Sequence, residues 1–204
     1  MKIALIGATG NIGTRVLNEA LSRGHTVTAI VRNPEKVPLH ANATAVAGDV
    51  HDPAALAGLL AGHDAVVSAV HFLATDLEKL VAGVKQSGVK RWVVVGGAGS
   101  LEVAPGLKLV NAPGFPDAYK DEATKGGVFL DLLKSSAGDL DWSFLSPSAL
   151  IVPGERTGKF RLGRDQLLKD ANGDSKISME DYAIALVDEL EQPKHVRQRF
   201  TVGY

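Results

Sequence analysis

The chain has 204 residues, 45% of them hydrophobic and 22% charged, with a net charge of −1 and no cysteine. That size suits one α/β domain, and a balanced charge without any lysine–arginine block argues against a nucleic-acid or membrane-surface partner. The missing thiols exclude disulfides, thiolate metal sites and a cysteine nucleophile, and with apolar runs too short for a signal peptide or a span they predict a cytoplasmic protein.

A short apolar run from Met1 meets Gly7, and Gly10 and Gly13 follow at a spacing of three. Ile12, Val16, Ala20 and Leu21 then fall on one face of a helix, which Gly24 ends. Thr26–Val31 is β-branched and apolar and reads as the second strand, and residues 43–47 read as the third. Asp52-Pro53 is a helix start, an N-cap followed by proline in the first turn. Residues 65–70 form a nearly continuous apolar run, as in a strand covered on both faces. Thr75 and Glu78 have capping-box spacing ahead of a helix that Gly88 stops. Residues 91–95 are a fifth strand.

Beyond Ser100 the pattern loosens. Residues 101–118 hold Pro105, Pro113 and Pro116 and read as a long loop. A helix over 117–134 follows, with Gly126-Gly127 weakening its middle. Strands are expected at 142–145, 159–161 and 199–202, and a helix at 179–191. This alternation predicts a doubly wound parallel sheet, a Rossmann fold with helices on both faces. It forms one domain over 1–204, with a small substrate-side portion from about residue 147.

Strand, glycine turn and helix together form the arrangement that holds a dinucleotide pyrophosphate. One glycine reverses the chain, one leaves room for phosphate, and Gly13 lets the helix approach the strands. Ligands of such sheets bind at the carboxyl ends of the strands. Sorted by that rule, the candidate cofactor residues are Gly7, Thr9, Gly10, Asn11, Ile12, Gly13, Arg32, Asp49, Val50, Ser68, Ala69, Val70 and Pro147. NAD-binding sites place a carboxylate about 20 residues past the glycines; here the second strand ends Val31-Arg32-Asn33. A guanidinium there suits a 2′-phosphate, so NADP(H) is expected over NAD(H). Asp49 is a candidate partner for adenine, or else a turn residue.

Residues 7–13, Val31-Arg32-Asn33-Pro34, Gly48-Asp49-Val50 and the run from Val94 to Ser100 resemble the atypical short-chain dehydrogenase/reductases. The compact NAD(P)H-binding branch, often called NADH-flavin reductases, is similar through Arg156-Thr157-Gly158, Asp181-Tyr182-Ala183 and residues 199–204 as well. The resemblance covers essentially the whole chain and implies a flavin as substrate. It also implies that Ser100 hydrogen-bonds a substrate carbonyl. The wider superfamily pairs tyrosine with a lysine four residues on, whereas Tyr119 is followed at that spacing by Ala123. Ser100 and Tyr119 are therefore the catalytic candidates, without a strong proton shuttle. Hydride transfer to a flavin or quinone asks mainly for stacked rings in a dry pocket. The expected activity is an NADPH-dependent reductase of such an acceptor. A non-catalytic NADP(H)-sensing regulator is the alternative.

Residues 170–181 imitate a calcium loop, but Ser175 replaces its glycine and Asp181 its glutamate. They read instead as a turn, an N-cap at Ser178 and a capping-box-like partner in Asp181. The six histidines lack metal-ligand spacing, and only His71 falls near the ligand edge, as a candidate proton donor or ring contact. No metal is expected, the partner is a small molecule, and the oligomeric state is left open.

Overall fold

Side chains alternate along the first strand and sort the molecule into two layers around a sheet. In the computed structural model, which describes all of residues 1–204, β1 (Lys2–Ile6) sends Ile3 and Leu5 to one face and Ala4 and Ile6 to the other. On the first face they meet Val16 and Leu17 of α1 (Asn11–Ser22) and Leu186 and Leu190 of α5 (Met179–Glu191). On the second they meet α2 (Pro53–Leu60), α3 (Leu77–Gln86) and α4 (Asp117–Ser136) through Leu56, Leu80 and Phe129.

The other strands of the large sheet are β2 (Thr26–Val31), β3 (Ala43–Ala47), β4 (Ala65–Ser68), β5 (Arg91–Val95), β8 (Asp141–Ser146), β10 (Arg161–Gly163) and β12 (Gln198–Gly203). Their order is β3-β2-β1-β4-β5-β8-β12-β10. All pairings are parallel except β10 against β12, so the sheet is doubly wound with one antiparallel edge strand. The order reverses between β1 and β4, and a crevice opens there at the strands' carboxyl ends. No helix is long and apolar enough to cross a membrane.

Most element ends follow local chemistry. Gly24 adopts φ +78° after α1, and the Asp52 carboxylate accepts a hydrogen bond from the Ala55 N–H at 3.1 Å at the start of α2. Some expectations fail where a competing hydrogen bond or pairing intervenes. Asp76, not Thr75, caps α3, accepting from the Lys79 N–H at 3.2 Å, because the Thr75 hydroxyl donates to the His71 carbonyl at 2.8 Å. Residues 101–118 are not an open loop. They contain a hairpin of β6 (Glu102–Ala104) and β7 (Leu107–Lys108), turned at Pro105-Gly106, with Glu102 opposite Lys108.

Strand β10 begins two residues later than expected, and a small parallel pair, β9 (Leu150–Val152) with β11 (Lys176–Ser178), was not foreseen. Ser178 caps α5 by accepting from the Asp181 N–H at 3.0 Å. The reciprocal half of the capping box is missing: the Asp181 carboxylate turns to residues 157–158, and the Ser178 N–H donates to the Tyr204 hydroxyl. The calcium-like stretch closes on itself, with Asp170 Oδ1 accepting from the N–H groups of Asn172 and Asp174 at 2.8 and 2.9 Å.

Candidate dinucleotide-binding site

The three glycines of the opening turn have separable duties. Gly7 takes φ +83°, and a Cβ on it would lie 2.2 Å from the Ala69 carbonyl oxygen. Gly13 is equally constrained, because a Cβ there would reach the Gly7 oxygen at 2.0 Å. Gly10 differs: the nearest atom to its Cβ would be the Gly7 oxygen at 3.4 Å, so the space beside it faces outward. It is also the N-cap of α1 and offers no side-chain cap. The first N–H groups of α1, on Asn11, Ile12 and Gly13, are thus left for an anion, and the helix dipole favours negative charge at that end.

A cleft of about 380 Å³ runs from this turn across the ends of β1, β2, β3 and β4. Gly7, Thr9, Gly10, Arg32, Asp49, Val50, Ala69 and Val70 all line it. At the β2–β3 end, Arg32 and Lys36 face the cleft and neither forms an ion pair with a carboxylate. Asp49 Oδ1 accepts from the His51 N–H at 2.9 Å and lies 2.8 Å from His51 Nδ1. The backbone bond from His51, then its ring, hold the Asp49 carboxyl below the ordinary aspartate range. Lys36 and His51 escaped the sequence reading. The signal was modest: a cation four residues past Arg32 and an imidazole two past Asp49.

Asn11, Ile12 and Gly13 lie behind the cleft wall in the first turn of α1, and Ser68 and Pro147 stand apart from it altogether. Ser68 is fully buried and its hydroxyl accepts from Trp92 Nε1 at 3.0 Å, so it serves the core rather than a ligand. Pro147 is buried past the end of β8 and does not line the cleft. The remaining wall on this side comes from Val70, His71, Ala74 and Thr75, the segment that follows β4.

The catalytic candidates are not brought together. Ser100 is buried, and its hydroxyl accepts from Arg199 Nη1 at 3.2 Å; the same guanidinium holds Asp165 at 2.7 Å. Tyr119, in the first turn of α4, is 67% exposed and makes no hydrogen bond through its hydroxyl. His71 is also exposed, 3.7 Å from Glu122. No hydrogen bond links Ser100, Tyr119 and His71 to one another.

Comparison with known proteins agrees with this geometry. YwnB of Bacillus subtilis, an uncharacterised protein, is 42% identical over 212 residues, covering 99% of this chain and 98% of that one. A structure from Burkholderia pseudomallei, named as an exported protein, is 52% identical with a TM-score of 0.91 and full coverage of both chains. One from Streptococcus pneumoniae, named as an NADH-flavin reductase, is 34% identical with a TM-score of 0.85, covering 100% of this chain and 99% of that one. The profile of one family, described as NAD(P)H-binding, matches residues 7–193, and on that match the chain belongs to the NAD(P)H-binding family.

Proposed function

We propose that the chain is an NADPH-dependent reductase that passes hydride to a planar acceptor, a flavin or a quinone. The cleft at the glycine turn carries this reading. A Cβ at Gly10 would protrude into the space where a pyrophosphate meets the α1 N-terminus, so the site suits a dinucleotide. The unpaired Arg32 and Lys36 favour a ribose bearing a 2′-phosphate, which Arg32 can hold through two parallel hydrogen bonds. Ala69 and Val70 give the side of the cleft that follows β4 an apolar surface. A nicotinamide bound there supplies the hydride. The name of the Streptococcus pneumoniae relative supports a flavin as the acceptor.

Because Ser100 is engaged by Arg199 and Tyr119 is exposed, the chain's own groups suit a transfer driven by ring alignment, without a tyrosine–lysine proton donor. The same observation favours a second reading, a sensor that binds NADP(H) without turnover. Steady-state oxidation of NADPH with FMN, FAD and quinones separates the two. Turnover with one acceptor, faster with NADPH than NADH, supports the reductase. Saturable NADPH binding without turnover of any acceptor transfers the assignment to the sensor.

A further inference from the structure

The middle of α4 carries two adjacent glycines where alanine would favour the helix. Gly126 has a reason to be bare. It is buried, and a Cβ on it would come within 2.8 Å of Phe72 Cε2. The Phe72 ring lies against this socket, buried to 6% exposure and edge-on to Phe129 at 5.9 Å between centroids.

One turn earlier on the same helix face stands Glu122. One carboxylate oxygen accepts from the Phe72 N–H at 2.7 Å and the other from the Leu73 N–H at 2.9 Å. Both oxygens of one side chain are thus committed to consecutive N–H groups of a segment 49 and 50 residues away. That segment, between β4 and α3, belongs to no strand or helix. It is also the Val70–Thr75 wall of the cleft. From Val70 to Thr75 the remaining bonds are local: Thr75 Oγ1 to the His71 carbonyl at 2.8 Å and the Thr75 N–H to the Phe72 carbonyl at 3.4 Å.

We propose that Glu122 and Gly126 form a receiver on α4 that fixes the 70–75 wall, making Glu122 a positioning residue for the dinucleotide. The proposal rests on the reading that this cleft binds NAD(P)H. Without the carboxylate, the buried Phe72 N–H loses its partner and the wall departs from its binding-competent arrangement. The observed dissociation constant then rises by the inverse of the fraction that remains competent. Because Arg32 and Lys36, and not this wall, face the 2′-phosphate in that reading, NADPH and NADH should weaken by the same factor. Loss of a 2′-phosphate contact, by contrast, would change their ratio.

The test is titration of wild type, Glu122→Ala and Glu122→Gln with NADPH and with NADH, alongside amide hydrogen exchange. Glu122→Ala should raise both dissociation constants about tenfold with an unchanged ratio and lose protection at Phe72 and Leu73. Glu122→Gln, which keeps one acceptor oxygen, should fall between. Phe72→Leu withdraws the ring from the Gly126 socket, leaves Glu122 intact and should shift both constants in the same direction. Wild-type binding with all variants within twofold would overturn the proposal. Wild type that binds neither dinucleotide would remove the reading of the cleft, and the proposal with it.

Discussion

Gly13 stands so close to Gly7 that a Cβ on the former would lie 2.0 Å from the carbonyl oxygen of the latter. Helix α1 is therefore seated directly on the turn that ends β1. Gly13→Ala forces this contact apart and should cost about 1–3 kcal/mol, the usual range for overpacking. Gly10→Ala meets nothing nearer than 3.4 Å and should cost no more than about 1 kcal/mol as a poorer N-cap. It should nevertheless weaken NADPH binding at least about tenfold, since the new methyl enters the phosphate space. Urea melts and NADPH titrations of the two variants distinguish them; a Gly10→Ala protein with wild-type affinity would contradict the assignment.

Arg32 faces the cleft without a carboxylate partner. A charge-assisted bond to a 2′-phosphate is worth about 1.5–3 kcal/mol. Arg32→Ala should accordingly weaken NADPH by about 10- to 100-fold and leave NADH within about twofold. Lys36→Ala should act in the same direction with a smaller factor, because an ammonium makes no fork. Equal losses for both dinucleotides would place Arg32 away from the phosphate.

Tyr119→Phe removes a hydroxyl that makes no hydrogen bond, so turnover should stay within about twofold of wild type. Ser100→Ala should lower stability, by about 1–2 kcal/mol, because it strips the Arg199 guanidinium of a buried acceptor. A turnover loss in Tyr119→Phe that exceeds any loss of stability would restore that residue to the chemistry.

Asp181 has no exposed surface. Burial raises its pKa, but the Thr157 hydroxyl, the Gly158 and Thr157 N–H groups and the Tyr204 hydroxyl outweigh it and hold the carboxyl below its ordinary value. Since the folded pKa is depressed, the stabilisation is present above the unfolded value of about 3.9 and is lost as pH falls through the folded value. Asp181→Asn turns an amide donor toward groups that already donate and should cost about 2–4 kcal/mol at neutral pH. Denaturant melts at pH 7 and pH 3 check the sign: the gap between wild type and variant should narrow in acid. A gap that stays constant would remove the carboxylate charge from the account.

Much of the opening turn and its cleft was legible because the signals are local. The glycines, the apolar periodicity of residues 12–21 and the basic residue ending β2 each act within a few residues of where they stand. Face assignment was less legible. Ser68 lies at a strand's carboxyl end, but alternation with Val66 points it into the layer that holds Trp92, whose indole takes the hydroxyl. Thr75 and Asp76 are adjacent caps of similar merit, and the choice between them depended on a carbonyl at His71. Pro105-Gly106 marks a turn in either reading; only the pairing of Glu102 with Lys108 makes it a hairpin. Glu122 resembles any acid on a helix until the segment after β4 folds against it.

The antiparallel edge joins parts of the chain that are far apart in sequence. Strand β10 has β12 as its sole neighbour in the sheet, although β12 follows it by more than thirty residues. Arg161–Gly163 pairs with Gln198–Gly203, which in turn pairs with Asp141–Ser146, so this side of the sheet is held by contacts distant in sequence. The cleft beside the glycine turn, in contrast, is walled entirely by residues between Ile6 and Thr75. The cleft's walls come from one continuous stretch of the chain, while the far edge of the sheet joins segments distant in sequence.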